Sequence, residues 1–215
     1  MIPPLPVPRP GEAIPTAHLG PRDESSGDGV RLVRTEGRDL PGAAPHPMGL
    51  VVLLCAVGLL FAAFAAALLV RRQGVDWTPL PLPWIVWLNA GVLLGSSLFV
   101  EGARRTGWPG DGGPTVRRLR GAAFLGLLFL AGQAAAWILL ARRGLFLPAN
   151  PHAAFFYTLS ALHAAHLGGG LGALGRTVRR RTASGGSRAG LDHVALYWHF
   201  VVGVWLALLP ALAML

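Results

Sequence analysis

The chain has 215 residues, 53% of them hydrophobic and only 13% charged, with a mean hydropathy of +0.50. Soluble domains carry about 25% charged residues, so an ordinary water-soluble domain is excluded. The formal charge of +9 comes from 19 basic residues, all Arg, gathered at the ends of apolar blocks outside an N-terminal tail, which excludes a nucleic-acid surface as its explanation.

Residues 1–47 are rich in Pro and read as a disordered cytoplasmic tail, with Ser25, Ser26, Gly27, Asp28 and Gly29 adding flexibility. Residues 48–215 read as one transmembrane domain. Five apolar blocks follow the tail, at about 48–70, 84–103, 121–141, 153–174 and 194–212. Each is about 20 residues long, enough for a helix to cross the ~30 Å hydrocarbon layer. The expected fold is therefore an all-α, polytopic five-transmembrane-helix bundle. The fourth block has the weakest signal, because its second half is Gly-rich, although membrane helices accept Gly where backbones approach closely.

The first block starts too late and runs too long for a cleavable signal peptide and ends in Arg71 and Arg72, so a signal anchor is expected. It contains Cys55, the only cysteine, which rules out an intrachain disulfide. The first connection holds Pro79, Pro81 and Pro83 with Trp77, Trp84 and Trp87 around them, as expected of a helix entrance at the headgroup level. Arg104, Arg105, Arg117, Arg118 and Arg120 flank the second connection, and Arg176, Arg179, Arg180, Arg181 and Arg188 crowd the fourth. The first and third hold only Arg71 with Arg72 and Arg142 with Arg143. The positive-inside rule then places the N-terminus in the cytoplasm and the C-terminus outside. Asp192 is the expected N-cap of the last helix.

Polar residues inside the blocks are the candidate site. The second carries Asn89, Ser96, Ser97 and Glu101, the third Gln133 and Trp137, the fourth Tyr157, Ser160, His163 and His166, and the fifth Tyr197, Trp198, His199 and Trp205. At a rise of ~1.5 Å per residue, His166 and His199 fall at matching depths, as do Gln133 and His163. Two interhelical pairs, His166 with His199 and Gln133 with His163, are therefore expected. Glu101 has Arg104 and Arg105 at i+3 and i+4 as ion-pair partners, and no further carboxylate accompanies the histidines to make a metal site. Ser96 and Ser97 lack a triad and read as helix-bonded hydroxyls. Gly91 with Gly95 and Gly168 with Gly172 form small-xxx-small seams.

The fifth block reads Tyr197, Trp198, His199, Phe200, Val201, and the fourth has Phe155 and Phe156 before His163 and His166. With Asn89, Ser96 and Ser97 in the second block, and Gln133 and Trp137 in the third, residues 46–215 resemble subunit III of the haem–copper oxidases in its short, five-helix form. Three positions depart from the family pattern. Cys55 and Ala56, Ala136, and Val202 or Gly203 stand where the family usually has buried carboxylates. A role through those carboxylates therefore does not carry over.

The resemblance implies a non-catalytic accessory subunit of a bacterial-type inner membrane. It would hold no haem or copper itself; those cofactors belong to its partners. The implied partners are oxidase subunit I and subunit II, together with membrane lipids, and not nucleic acid. Alternative readings are a subunit-III-like partner of a nitric oxide reductase, a small membrane cytochrome binding haem b through histidines on spans four and five, and an orphan scaffold. No catalytic residue is assigned.

Overall fold

The structure is a computed structural model and describes residues 47–106, 112–145, 150–184 and 187–214. The expected tail, apart from Pro47, lies outside the described residues. Five helices follow in chain order: α1 (Pro47–Arg71), α2 (Trp84–Thr106), α3 (Gly112–Arg142), α4 (Pro151–Ser184) and α5 (Arg188–Met214). The described residues contain no strand. Helices α1, α2, α3 and α5 are long and apolar enough to cross a membrane. Helix α4 is the longest, and His163, His166, its glycines and its terminal arginines dilute its apolar content. It packs against both α3 and α5.

Helix ends are fixed by local chemistry. Asn150 Oδ1 accepts the Ala153 N–H at 2.8 Å, and Pro151 takes the first helical position, where a missing N–H costs nothing. Helix α3 ends on Gly144 at φ +76°, with Gly144 N–H bonded to Ala141 O and Leu145 N–H to Leu140 O, the two bonds of a Schellman cap. Ser187, not Asp192, caps α5: its Oγ accepts the Gly190 N–H at 3.1 Å. Asp192 lies inside the helix, 3.9 Å from Arg104, because α5 begins a turn earlier than its apolar block.

The core pattern explains how four helices close on one another. Buried positions on α3 are Thr115, Leu119, Ala122, Gly126, Phe129, Gln133, Ala136 and Leu140, spaced by alternating fours and threes. The same alternation runs through Ala153, Phe156, Ser160, His163, Leu167, Gly170 and Leu174 on α4. It recurs through Leu191, Ala195, Trp198, Val202, Trp205, Leu209 and Leu212 on α5, and through Val86, Asn89, Leu93, Ser96, Val100 and Ala103 on α2. A strict seven-residue repeat is the seam of left-handed coiled-coil packing. Helix α2 packs on α3 and α5, and α4 packs on α3 and α5, so the four make a closed ring. Helix α1 stands outside it, touching only α4 and α5 and burying Val57, Phe61 and Leu68.

Two glycines make room for the largest core side chain. A Cβ on Gly126 would come within 2.9 Å of the Trp198 ring, and one on Gly170 within 3.0 Å of Tyr197 and 3.3 Å of Trp198. The expected Gly168/Gly172 seam is not used within the chain, since nothing lies within 4 Å of either position, and Gly91 is likewise open. Close approach between α2 and α3 occurs instead at Gly132, where a Cβ would collide with the Asn89 side chain.

Candidate functional site

Half of the fourteen polar residues singled out from sequence lie on the seam: Asn89, Ser96, Gln133, Ser160, His163, Trp198 and Trp205. Ser96 and Trp198 form its best-connected group. Trp198 Nε1–H donates to Ser96 Oγ at 3.1 Å, and Ser96 Oγ–H donates to Ala122 O at 2.9 Å. One hydroxyl thereby ties α5, α2 and α3 together. Each such bond contributes about 1 kcal/mol net, whereas leaving a buried donor unpaired costs about 1–3 kcal/mol. Nearer the end that holds the α3–α4 connection, Trp137 Nε1–H donates to Ser160 Oγ at 2.9 Å, and Ser160 Oγ–H to Phe156 O at 2.6 Å. The Tyr157 hydroxyl lies 3.2 Å from Trp137 O and 3.1 Å from Leu145 O. Asn89 Nδ2 reaches Phe129 O at 3.4 Å.

The two histidine-centred pairs expected from depth do not form. His166 Nδ1 bonds Leu162 O of its own helix at 2.8 Å, and His166 O accepts the Tyr197 hydroxyl at 2.9 Å. His199 turns instead to α2, with Nδ1 2.6 Å from Ser97 Oγ and Nε2 3.4 Å from Glu101 Oε2. Tyr197 and His199 are two residues apart, about 200° around the helix, so they cannot both face α4. Ser97 is thus bonded across the interface and not to its own helix. Glu101 takes the partners expected of it, Arg104 Nε and Arg105 Nε, each at 2.8 Å.

Gln133 and His163 are fully enclosed, at 1% and 0% exposure, yet neither finds a hydrogen-bond partner, and Trp205 Nε1 is likewise unpaired. The His163 ring packs 4.9 Å from Trp205 and 5.6 Å from Phe129, with Phe61 of α1 at 6.3 Å. A haem held between spans four and five would need a histidine of α4 to face His199. These residues do not fit it, since aromatic rings enclose His163, while His166 and His199 serve separate helix contacts. Among the described residues, no group of three or more His, Cys, Asp or Glu is arranged to hold a metal ion.

Sequence reasoning missed one junction. Leu80 N–H donates to His152 Nδ1 at 2.9 Å, His152 Nε2 lies 2.9 Å from Leu212 O, and Trp77 stacks on the ring at 4.7 Å. Because Nδ1 accepts, the proton sits on Nε2, and the ring is neutral. Burial pushes its pKa down, opposed by the bond to Leu212. His152 just precedes the fourth apolar block, outside the spans searched for polar residues. Nothing in one sequence brings three chain segments together on it.

Of the positions that depart from the family pattern, Ala136 and Val202 are buried on the seam, whereas Cys55, Ala56 and Gly203 face outward.

The chain is similar to proteins named cytochrome c oxidase subunit 3. That of Synechocystis is 31% identical over 176 residues, covering 76% of this chain and 74% of the relative. The chain belongs to the cytochrome c oxidase subunit 3 family. The protein of that name from Thermostichus vulcanus is 29% identical over 192 residues, covering 80% of this chain and 90% of the relative. A probable cytochrome c oxidase subunit 3 from Mycobacterium leprae matches over 88 residues at 34% identity, covering 39% of this chain and 43% of that protein. No family model matches. Membership and the apolar helices together make this a multi-pass membrane protein.

Proposed function

We propose that the chain is a non-catalytic accessory subunit of a haem–copper terminal oxidase, binding subunit I in a complex with subunit II and stabilising the catalytic subunit in aerobic electron transport. The observation that carries this reading is likeness to named oxidase subunits across most of both chains. In support, Ser96, Trp198, Trp137 and Ser160 are engaged in helix-to-helix bonds and His163 and Trp205 in ring packing. Haem and copper would reside in the partner subunits, and Asn89, Ser96, Ser97, Gln133, Trp137, His163, His166, Tyr197, Trp198, His199 and Trp205 would be structural determinants of the bundle.

The same reading sets the chain in a bacterial-type inner membrane. The end holding Glu101, Arg118 and Arg181 carries the dense Arg runs and would face the cytoplasm, with the His152 end outside. Purification of the tagged chain in mild detergent tests the proposal. A co-purifying large subunit with a dithionite-reducible haem spectrum and oxidase activity is the expected result. Co-purification with a nitric oxide reductase would replace the partner, and a colourless solitary chain would overturn the accessory role.

A further inference from the structure

Five of the unpaired buried side-chain atoms gather on three residues, while two others, Arg181 Nε and His193 Nδ1, lie near the α4–α5 connection. Gln133, His163 and Trp205 come from α3, α4 and α5, and each is enclosed by the ring of helices. Trp137 and Ser160 are bonded across the antiparallel α3 and α4. One turn further along each helix brings Gln133 and His163 to the same level. Trp205 lies against His163 at 4.9 Å, and Phe129, one turn from Gln133 on the same face, packs on both rings, at 5.6 Å from His163 and 5.1 Å from Trp205. The polar atoms therefore share one layer of the bundle.

Their chemistry restricts what can satisfy them. The Gln133 amide donates and accepts, a neutral imidazole does each once, and an indole N–H only donates. A direct Gln133–His163 bond would leave one ring nitrogen, one amide atom and the Trp205 N–H unmet. The surrounding rings of Phe61 and Phe129 offer no charge to balance an ion. A small neutral group that both donates and accepts would give each of the three residues a partner, and a water molecule making about three bonds meets that description. We propose that α3, α4 and α5 enclose an internal water site held by Gln133, His163 and the Nε1–H of Trp205.

The test uses the full chain in lipid nanodiscs, with its partner subunits where they co-purify, at a resolution that shows ordered water. Density within about 3 Å of a His163 ring nitrogen and of at least one of Gln133 and Trp205 is expected. A Gln133 carboxamide bonded directly to His163, with no such density, overturns the site. Infrared difference spectra after exchange into oxygen-18 water provide a second readout. A bound-water O–H band should shift on exchange, vanish in Gln133→Leu and His163→Phe, and persist in Ser97→Ala. A band unmoved by Gln133→Leu also overturns the site, and Gln133→Met gives the same reading if the histidine variant does not fold.

Discussion

Ser96 and Trp198 show how a single hydroxyl can join three helices. Removing it strands the indole N–H in a place where neither water nor another acceptor can replace it. Ser96→Ala should therefore destabilise the bundle by about 1–3 kcal/mol, read as a lower melting temperature in detergent. Adding Trp198→Phe should cost less in the Ser96→Ala background than in wild type, because the orphaned donor leaves with the indole. Equal costs in both backgrounds would show that the bond contributes nothing. His152 carries a different liability. Its Nδ1 accepts from Leu80 N–H, so protonation of that nitrogen breaks the bond. Burial holds its folded pKa below the ordinary histidine value of about 6.5. The unfolded chain then binds the proton first, so the stabilisation is complete above that value and declines as pH falls below it toward the folded pKa. Melting temperature should drop as pH falls below about 6.5, and His152→Gln should flatten that dependence. An unchanged slope would assign the acid sensitivity to other groups.

At the scale of the helix, hydropathy read from the sequence located each of the five described helices but not every end. The third apolar block starts at 121, while α3 starts at Gly112, and the fourth ends at 174, while α4 runs to Ser184. Hydropathy marks the stretch that suits hydrocarbon. Backbone hydrogen bonding continues beyond it, through the Arg-rich ends. Facing direction was not legible, because in lipid the outer face is as apolar as the seam. Leu127 and Leu128 are exposed beside buried Phe129, and no hydrophobic contrast distinguishes them. That is why matched depth suggested a His166–His199 pair which the rotation of α5 forbids, and why the glycines chosen from spacing alone were not the tight ones. Gly170→Ala should force its new methyl against Tyr197 and Trp198 and destabilise by about 1–3 kcal/mol. Gly172→Ala, with open space around it, should be neutral or slightly stabilising through helix propensity. Thermal melts of the two variants side by side decide the matter, and equal losses would contradict the packing described here.

Across the whole molecule, α2, α3, α4 and α5 close on one another, and α1 docks on the face that α4 and α5 make together. The contacts among α2, α3, α4 and α5 are made without α1, which adds Phe61 against His163. Co-expression of residues 1–74 and 75–215 as two polypeptides should yield a larger fragment, which holds all seven tryptophans, with acrylamide quenching of its fluorescence like that of the intact chain, and the smaller fragment should bind it. A larger fragment that aggregates or is quenched more strongly would make α1 part of the core.

The docking face of α1 has a consequence in time as well as in space. Helix α1 leaves the ribosome first, yet both of the surfaces that receive it are translated last. It must wait in the bilayer, its long apolar sides held by lipid or by an insertion factor, until α5 has turned back into the membrane. Among the described helices, the first made cannot have all its contacts until the last is in place.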